Sequence, residues 1–286
     1  MNPEPAPTDA AVVVPVAPIQ RPFWQEEPRR MAIAVIFLTR VPLRLAGDVT
    51  PADIAAASRY YPLVGGLVGA AVGGMFVLAG GYYPPLLAAT LAALGAAVLT
   101  GAFHEDALGD VADAFGGGMS VARKLEIMKD SRLGTYGVLA LVGALLLRIQ
   151  AIAGLPLAVA LPALVAVHAA SRAGIVGMLW RSPRARTEGL GADTVGLSWR
   201  EPLVALATAL LLGLLCLPLP AALGVLALCL LSALGMDRYA REQVGGVTGD
   251  VLGASQQVGE LVALLALGAW LAIEPAVVLG APVWRP

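Results

Sequence analysis

The stretch GAFHEDALGDVADAFGGG, residues 101–118, gathers more reactive side chains than any other part of the chain. Glu105, Asp106, Asp110 and Asp113 follow His104, and no Lys or Arg stands between Ala102 and Val121 to neutralise them. On a helix, at about 100° per residue, Asp106, Asp110 and Asp113 fall within an arc of about 60°. Like charges at i, i+4 oppose helix formation mildly, so their gathering calls for a cause. Hard divalent cations take oxygen ligands, and a metal site of this kind also clamps phosphate oxygens. The plain alternative is an acidic helix end at a water interface. His104 falls nearly opposite the acids, which suits a structural or supporting role. The zinc pattern H-E-x-x-H is excluded by Leu108.

Two further segments bear on the same chemistry. In SVARKLEIMKDSRLGTYG, 120–137, Ser120 reads as an N-cap, Val121, Leu125 and Met128 as an apolar stripe, and Gly134 as the helix end. That helix would bring Arg123, Lys124, Lys129 and Arg132, with Asp130 among them, close to the acids. Basic groups beside a metal suit a phosphorylated substrate, although a basic loop on one side of a membrane would look the same. In GGVTGDVLGA, 245–254, Thr248 and Asp250 sit in a glycine-rich turn that lacks the G-K-[ST] of a P-loop. Its backbone can offer N–H groups to phosphate, and Asp250 can join the metal or accept from a base edge. A tight turn between helices competes equally.

The elements that must hold these groups are membrane helices. The chain has 286 residues, 58% hydrophobic and 14% charged, where a soluble domain is nearer one quarter charged. Its net charge of −1 offers nothing to nucleic acid. Cys216 and Cys229 lie in apolar runs and read as inert buried thiols. Residues 1–22 read as a disordered tail and 23–286 as one membrane-embedded catalytic domain. The fold class expected is all-α, a polytopic bundle of six to seven spans at about 61–80, 85–103, 135–154, 156–180, 202–218, 220–236 and 256–278, each near the ~20 residues a bilayer requires. The acid segment continues the second span as a loop helix. MAIAVIFL, 31–38, reads as an interfacial helix flanked by Arg29, Arg30 and Arg40. Gly65, Gly69 and Gly73 repeat the G-x-x-x-G spacing of closely packed membrane helices. Arg148, Arg172 and Glu260 fall inside spans, where charge is costly and marks function. Arg172 and Glu260 are placed to line the site's cavity, whereas Arg148 lies too deep for that. His168 reads as a satisfied core histidine.

Six blocks in order resemble the cobalamin synthase family, the adenosylcobinamide-GDP ribazoletransferases: FLTRVPL (37–43), YPLVGG (61–66), LTGAFHEDALGDVADAFGG (99–117), LEIMKDSRLGTYGVLAL (125–141), SRAG (171–174), and GGVTGDVLGA with GEL (245–254, 259–261). The resemblance implies a Mg²⁺-dependent enzyme of the inner membrane, working at the cytoplasmic face. Such an enzyme joins adenosylcobinamide-GDP to α-ribazole or its 5′-phosphate and releases GMP, giving adenosylcobalamin or its phosphate. The family's H-x-D-G-L-A-D-x-x-D pattern falls on His104, Asp106, Asp110 and Asp113. It implies Asp106, Asp110 and Asp113 as catalytic, these three with Asp250 as metal ligands, and His104, Lys129, Asp130, Arg132, Arg172, Thr248 and Glu260 as substrate-binding. Asp113 is the base by loose analogy with CDP-alcohol phosphotransferases. Ala107, Gly109, Ala114 and Gln257 depart from the family's usual Gly, Ala, Gly and Glu. Partners implied are the two substrates and the lipid bilayer, with a homo-oligomer or contacts with other corrinoid enzymes compatible. The rival readings are a CDP-alcohol phosphotransferase of lipid synthesis, which wants D-G-x-x-A-R where DALGDV stands, and a non-enzymatic transporter, which wants repeated halves.

Charge alternates between the connections. Those near 81–84, 155 and 219 carry none, while 104–134, 181–201 and 237–255 carry four, four and two Lys/Arg. The basic set faces the cytoplasm. With Cys216 and Cys229 replaced, single cysteines at Arg123, Arg184 and Arg241 should label only from the cytoplasmic side, and one at Tyr83 only from outside. Labelling of positions 184 and 83 from one side would refute this topology.

Overall fold

The structure, a computed structural model, describes residues 23–186 and 197–273. The expected tail lies outside them, as does the end of the last expected span. Eleven α-helices follow one another among the described residues: α1 (Phe23–Leu38), α2 (Pro51–Ala57), α3 (Tyr61–Gly80), α4 (Pro85–Thr100), α5 (Phe103–Gly117), α6 (Val121–Ile127), α7 (Thr135–Ala153), α8 (Leu157–Arg181), α9 (Arg200–Cys216), α10 (Leu219–Val244) and α11 (Gly249–Ile273). The fold is an all-helical, polytopic membrane bundle. Five segments are long and apolar enough to cross a bilayer: Pro51–Gly80, α7, α8, α10 and α11. The sharply bent pair α4–α5 counts as a sixth only if its two arms are taken together as one broken crossing. Six, reached with the bent pair, is the lower end of the expected six to seven; the expected span at 202–218 falls short because α9 has only 17 residues.

At the centre stands α8, buried along nearly its whole length, with α3, α9, α10 and α11 around it. α3 packs most closely, and its glycines are the reason. A Cβ at Gly65 would stand 2.4 Å from the His168 carbonyl oxygen, one at Gly69 2.3 Å from that of Leu164, and one at Gly73 2.6 Å from the Leu161 Cα. Only hydrogen at these three positions lets the two backbones meet. The outer faces carry Leu87, Leu91 and Leu94 on α4 and Leu139, Val142 and Leu146 on α7, all exposed and suited to lipid.

Three expectations need correction. First, α5 does not continue the second span. Gly101 (φ 71°) and Ala102 (φ 56°) both take left-handed backbone, α4 stops there, and α5 leaves at 91°. Nor is the acid segment a loop: α5 packs between α7 and α11 inside the bundle. Second, the basic helix ends at Ile127, and Gly134 instead caps the start of α7. The cause is local, since Asp130 accepts the Arg132 N–H at 3.1 Å and turns the chain out of helix. Ser120 is the N-cap as expected, accepting from the Arg123 N–H at 3.3 Å. Third, α1 begins at Phe23, ahead of the expected Met31, and rests Ile33, Ala34 and Leu38 on the bundle.

The three basic connections do meet on one face. Lys124 donates to Gln243 at 2.5 Å, Arg186 to the Leu125 carbonyl at 2.6 Å, and the Val247 N–H to the Pro183 carbonyl at 2.8 Å.

The α3–α8 seam makes a direct prediction. Gly69→Val forces a side chain into the α8 backbone and should lower the melting temperature in detergent by several degrees, as overpacking costs about 1–3 kcal/mol or more. Gly74, where an added Cβ would meet nothing within 4 Å, should accept Ala with no loss. Equal behaviour of the two variants would remove the seam's claim.

Candidate active site

The three aspartates of α5 share a face but not a fate. Asp113 is buried, and its two oxygens accept the N–H groups of Gly134 at 2.6 Å and Gly137 at 2.8 Å. It thereby caps the first turn of α7, where free N–H groups and the helix dipole favour a carboxylate. A Cβ at Gly137 would lie 2.3 Å from the Asp113 Oδ2, so the glycine is what admits it. Asp106 is exposed and Asp110 half-buried, and neither carboxylate makes a hydrogen bond or ion pair with any described residue. The charges acting on Asp110 are Asp106, Asp250 and Asp113, all of its own sign, against the single guanidinium of Arg186.

Asp250 opens α11 and meets Arg186 at 3.7 Å. Thr248, just before it, is buried and accepts the Val251 N–H at 3.2 Å, acting as a cap for α11. Of the glycines around it, Gly246 serves chain packing, since a Cβ there would stand 2.4 Å from the Pro183 carbonyl oxygen.

The expected basic cluster is largely paired within itself. Arg123 meets Glu126 at 2.7 Å, and Arg132 meets Asp130 at 2.6 Å. The Arg132 guanidinium and N–H hold the Asp130 carboxyl down to about 2. Lys129 is exposed and makes no ion pair among the described residues. The cation that does reach the acids, Arg186, was missed in the sequence because it lies one long connection away.

Behind the acids lies a buried polar network. Glu105, next to Asp106, accepts from Arg148 at 3.2 Å and from Gln257 at 3.3 Å, and Arg148 also donates to Gln257 at 2.5 Å. Gln257 continues to Gln256 at 3.1 Å, and Gln256 to Glu260. Glu260 accepts from Arg172 at 3.1 Å and meets the His168 Nε2 at 2.9 Å, while the His168 Nδ1 lies 2.9 Å from the Leu164 carbonyl. Arg172 and Glu260 thus face each other in a closed interior, 2% and 3% exposed, and do not line an open cavity. Arg148 does have a function in the fold: it ties α7 to α5 and α11. His104 is buried against α11 and lines a small apolar cavity with Phe37, Tyr61 and Phe103.

Whether these groups fit a metal turns on their donors. Among the described residues no three His, Cys, Asp or Glu side chains stand close enough to hold an ion by themselves. Mg²⁺, however, keeps several waters and is usually held by one or two carboxylates together with substrate phosphates. Asp106 and Asp110, uncommitted and repelled by like charges, fit that demand.

Arg148→Met should leave the half-buried Glu105 carboxylate without its cation and lower the melting temperature, with a loss below the ~3–5 kcal/mol of a fully buried pair. Adding Glu105→Gln should restore much of it. A double-mutant cycle on melting temperature checks this, and additive losses would show that the pair is not coupled.

Residues 30–268 match the sequence model described as cobalamin-5-phosphate synthase. The adenosylcobinamide-GDP ribazoletransferase of Bradyrhizobium diazoefficiens is 42% identical over 243 residues, covering 84% of this chain and 93% of that one. That of Ralstonia nicotianae is 40% identical over 252 residues, covering 86% and 97%, and that of Shewanella amazonensis 37% over 250, covering 85% and 96%. No solved structure matches the chain. Of the departures from the family's usual residues, Ala107 packs against Gly253 and Gly109 against Leu133 and Leu141, whereas Gln257 belongs to the polar network behind the acids. With the match spanning α1 through most of α11, the chain belongs to the cobalamin-5-phosphate synthase family.

Proposed function

We propose that this protein transfers the adenosylcobinamide-phosphoryl group of adenosylcobinamide-GDP to α-ribazole or its 5′-phosphate, releasing GMP. The observation that carries the reading is the pair of uncommitted carboxylates, Asp106 and Asp110, on a helix wedged into the bundle of a chain from this family. A ribazole hydroxyl attacks the phosphorus next to the corrinoid side chain. The new P–O bond forms as the P–O bond to GMP breaks, and the hydroxyl proton passes to a carboxylate.

Asp110 suits that proton better than Asp113, whose oxygens already accept two N–H groups. Asp113 fixes α5 against α7, and so sets where Asp106 and Asp110 point. Asp106 and Asp110 would hold Mg²⁺ together with waters and the substrate phosphates. Bound there, the ion supplies charge neutralisation for the phosphate oxygens and for departing GMP. Arg186 adds a cation at the edge of the same cluster. His104, Arg172 and Glu260 act from behind by holding α5, α8 and α11 in register. Lys129, exposed and without an ion pair among the described residues, is the cation proposed to meet an incoming phosphate. The site faces the cytoplasm of the inner membrane, as the basic connections direct.

The test is GMP release by purified protein with Mg²⁺ and each acceptor. Asp110→Asn should lower the rate by about 100-fold or more, the usual worth of a general base. In the same variant the metal-free melting temperature should stay equal or rise slightly, since one repelling charge is gone. The stabilisation by added Mg²⁺ should shrink. Full activity at an unchanged Mg²⁺ requirement would refute the assignment.

A further inference from the structure

The block FLTRVPL has no role in the reaction as described, yet it builds one wall of a cleft that reaches Asp106. The cleft, about 450 Å³, lies between the chain leaving α1 and the break between α4 and α5, and is lined by Phe37, Thr39, Arg40, Thr100, Phe103 and Asp106. That volume falls in the range of small-molecule sites. Its floor is the left-handed pair Gly101 and Ala102, and Ala102 is the only described non-glycine residue with positive φ. Such strain costs about 1–3 kcal/mol and persists where something else fixes it. Gly101 is required twice over, since a Cβ there would stand 2.2 Å from the Arg40 Nε.

The chemistry of the cleft is simple once committed groups are set aside. The Thr39 hydroxyl donates to the Val35 carbonyl at 2.7 Å and the Thr100 hydroxyl to that of Ala96 at 3.0 Å. What remains is a cation, Arg40, exposed and without a carboxylate within ion-pair distance among the described residues, and an anion, Asp106. Beside them stands an aromatic wall. Phe37 meets Phe103 edge-on at 5.5 Å between centroids and stacks on Tyr61, also at 5.5 Å. A planar guanidinium prefers phosphate, which it can grip with two N–H groups, and aromatic rings favour a flat base.

We infer that this cleft is the seat of a phosphorylated nucleotide, its base against Phe37 and Phe103 and its phosphate on Arg40, beside the carboxylates of α5. The inference rests on the reaction proposed above, which offers two ligands of this chemistry: the guanylyl half of the donor and the 5′-phosphate of the acceptor.

Arg40→Gln keeps length and polarity and removes the charge. It should raise one apparent affinity constant about ten-fold, equivalent to about 1.4 kcal/mol. The measurements are the KM for adenosylcobinamide-GDP, for ribazole and for ribazole 5′-phosphate, and the Kd of GMP, all on full-length protein in nanodiscs. A rise in donor KM and GMP Kd alone places the guanylyl group here. A rise in KM for ribazole 5′-phosphate, with free ribazole and GMP unchanged, places the acceptor phosphate here. Phe103→Leu, which keeps bulk and loses the ring, should weaken the same ligand. Melting temperatures near wild type certify both variants as folded. If every KM and the GMP Kd stay within two-fold, or if only kcat falls, the cleft is not a binding site and Arg40 merely braces the helix break. If the wild-type protein releases no GMP yet binds it, and Arg40→Gln weakens that binding, the nucleotide site stands and the proposed reaction falls. Absence of both release and GMP binding would overturn both.

Discussion

The bundle depends on how it houses three buried charges, Arg148, Arg172 and Glu260, and the half-buried Glu105. Arg148 and Arg172 are balanced by Glu105 and Glu260, one acid from α5 and one from α11, with Gln256 and Gln257 bridging the two pairs. In a low-dielectric interior each unpaired charge would cost several kcal/mol, so the helices can meet only in the register that pairs them. That constraint is specific where apolar packing is permissive. Leu and Ala faces would tolerate sliding by a turn, but Arg148 has Glu105 and Gln257 within reach in one register only. Gln257 fits this balance as a neutral residue. A carboxylate there would add a third negative charge to two cations.

With α5 held from behind by Glu105 and from its far end by Asp113, the acids between them are left free. Glu105 meets Arg148 well along α7, while Asp113 meets the first turn of the same helix, so α5 and α7 run antiparallel. Asp106 and Asp110 then lie on a rigid support, their carboxylates without partners among the described residues. Reactive carboxylates work best when placed by residues whose geometry is fixed elsewhere, and the division of labour among these four acids follows that rule. The break at Gly101 and Ala102 serves the same end, because only a turn of 91° brings α5 back into the bundle beside α7 and α11.

Much of the site was legible in the sequence. The 0, 4, 7 spacing of Asp106, Asp110 and Asp113 marked one helix face, and charge-free connections alternating with basic ones marked one side of the membrane. Gly65, Gly69 and Gly73 announced a close helix contact, which the α3–α8 seam provides. These signals are local: helix periodicity, loop charge and the small-residue spacing all reside within one segment and its neighbours.

What the sequence by itself determined, then, was the all-helical membrane class and the family, and it singled out the acid helix as the candidate place of chemistry. Tertiary structure alone decided which acids are free, because a carboxylate's availability depends on donors from other helices. Nothing near Asp113 in sequence says that Gly134 and Gly137 will bind it. Arg148 looked too deep to explain until Glu105 and Gln257 met it, and Arg40, read as a flanking charge, proved to stand over the helix break. Periodicity fixes which residues share a face of one helix; which face meets which partner is set by long-range packing and charge pairing, and those exist only when the helices come together.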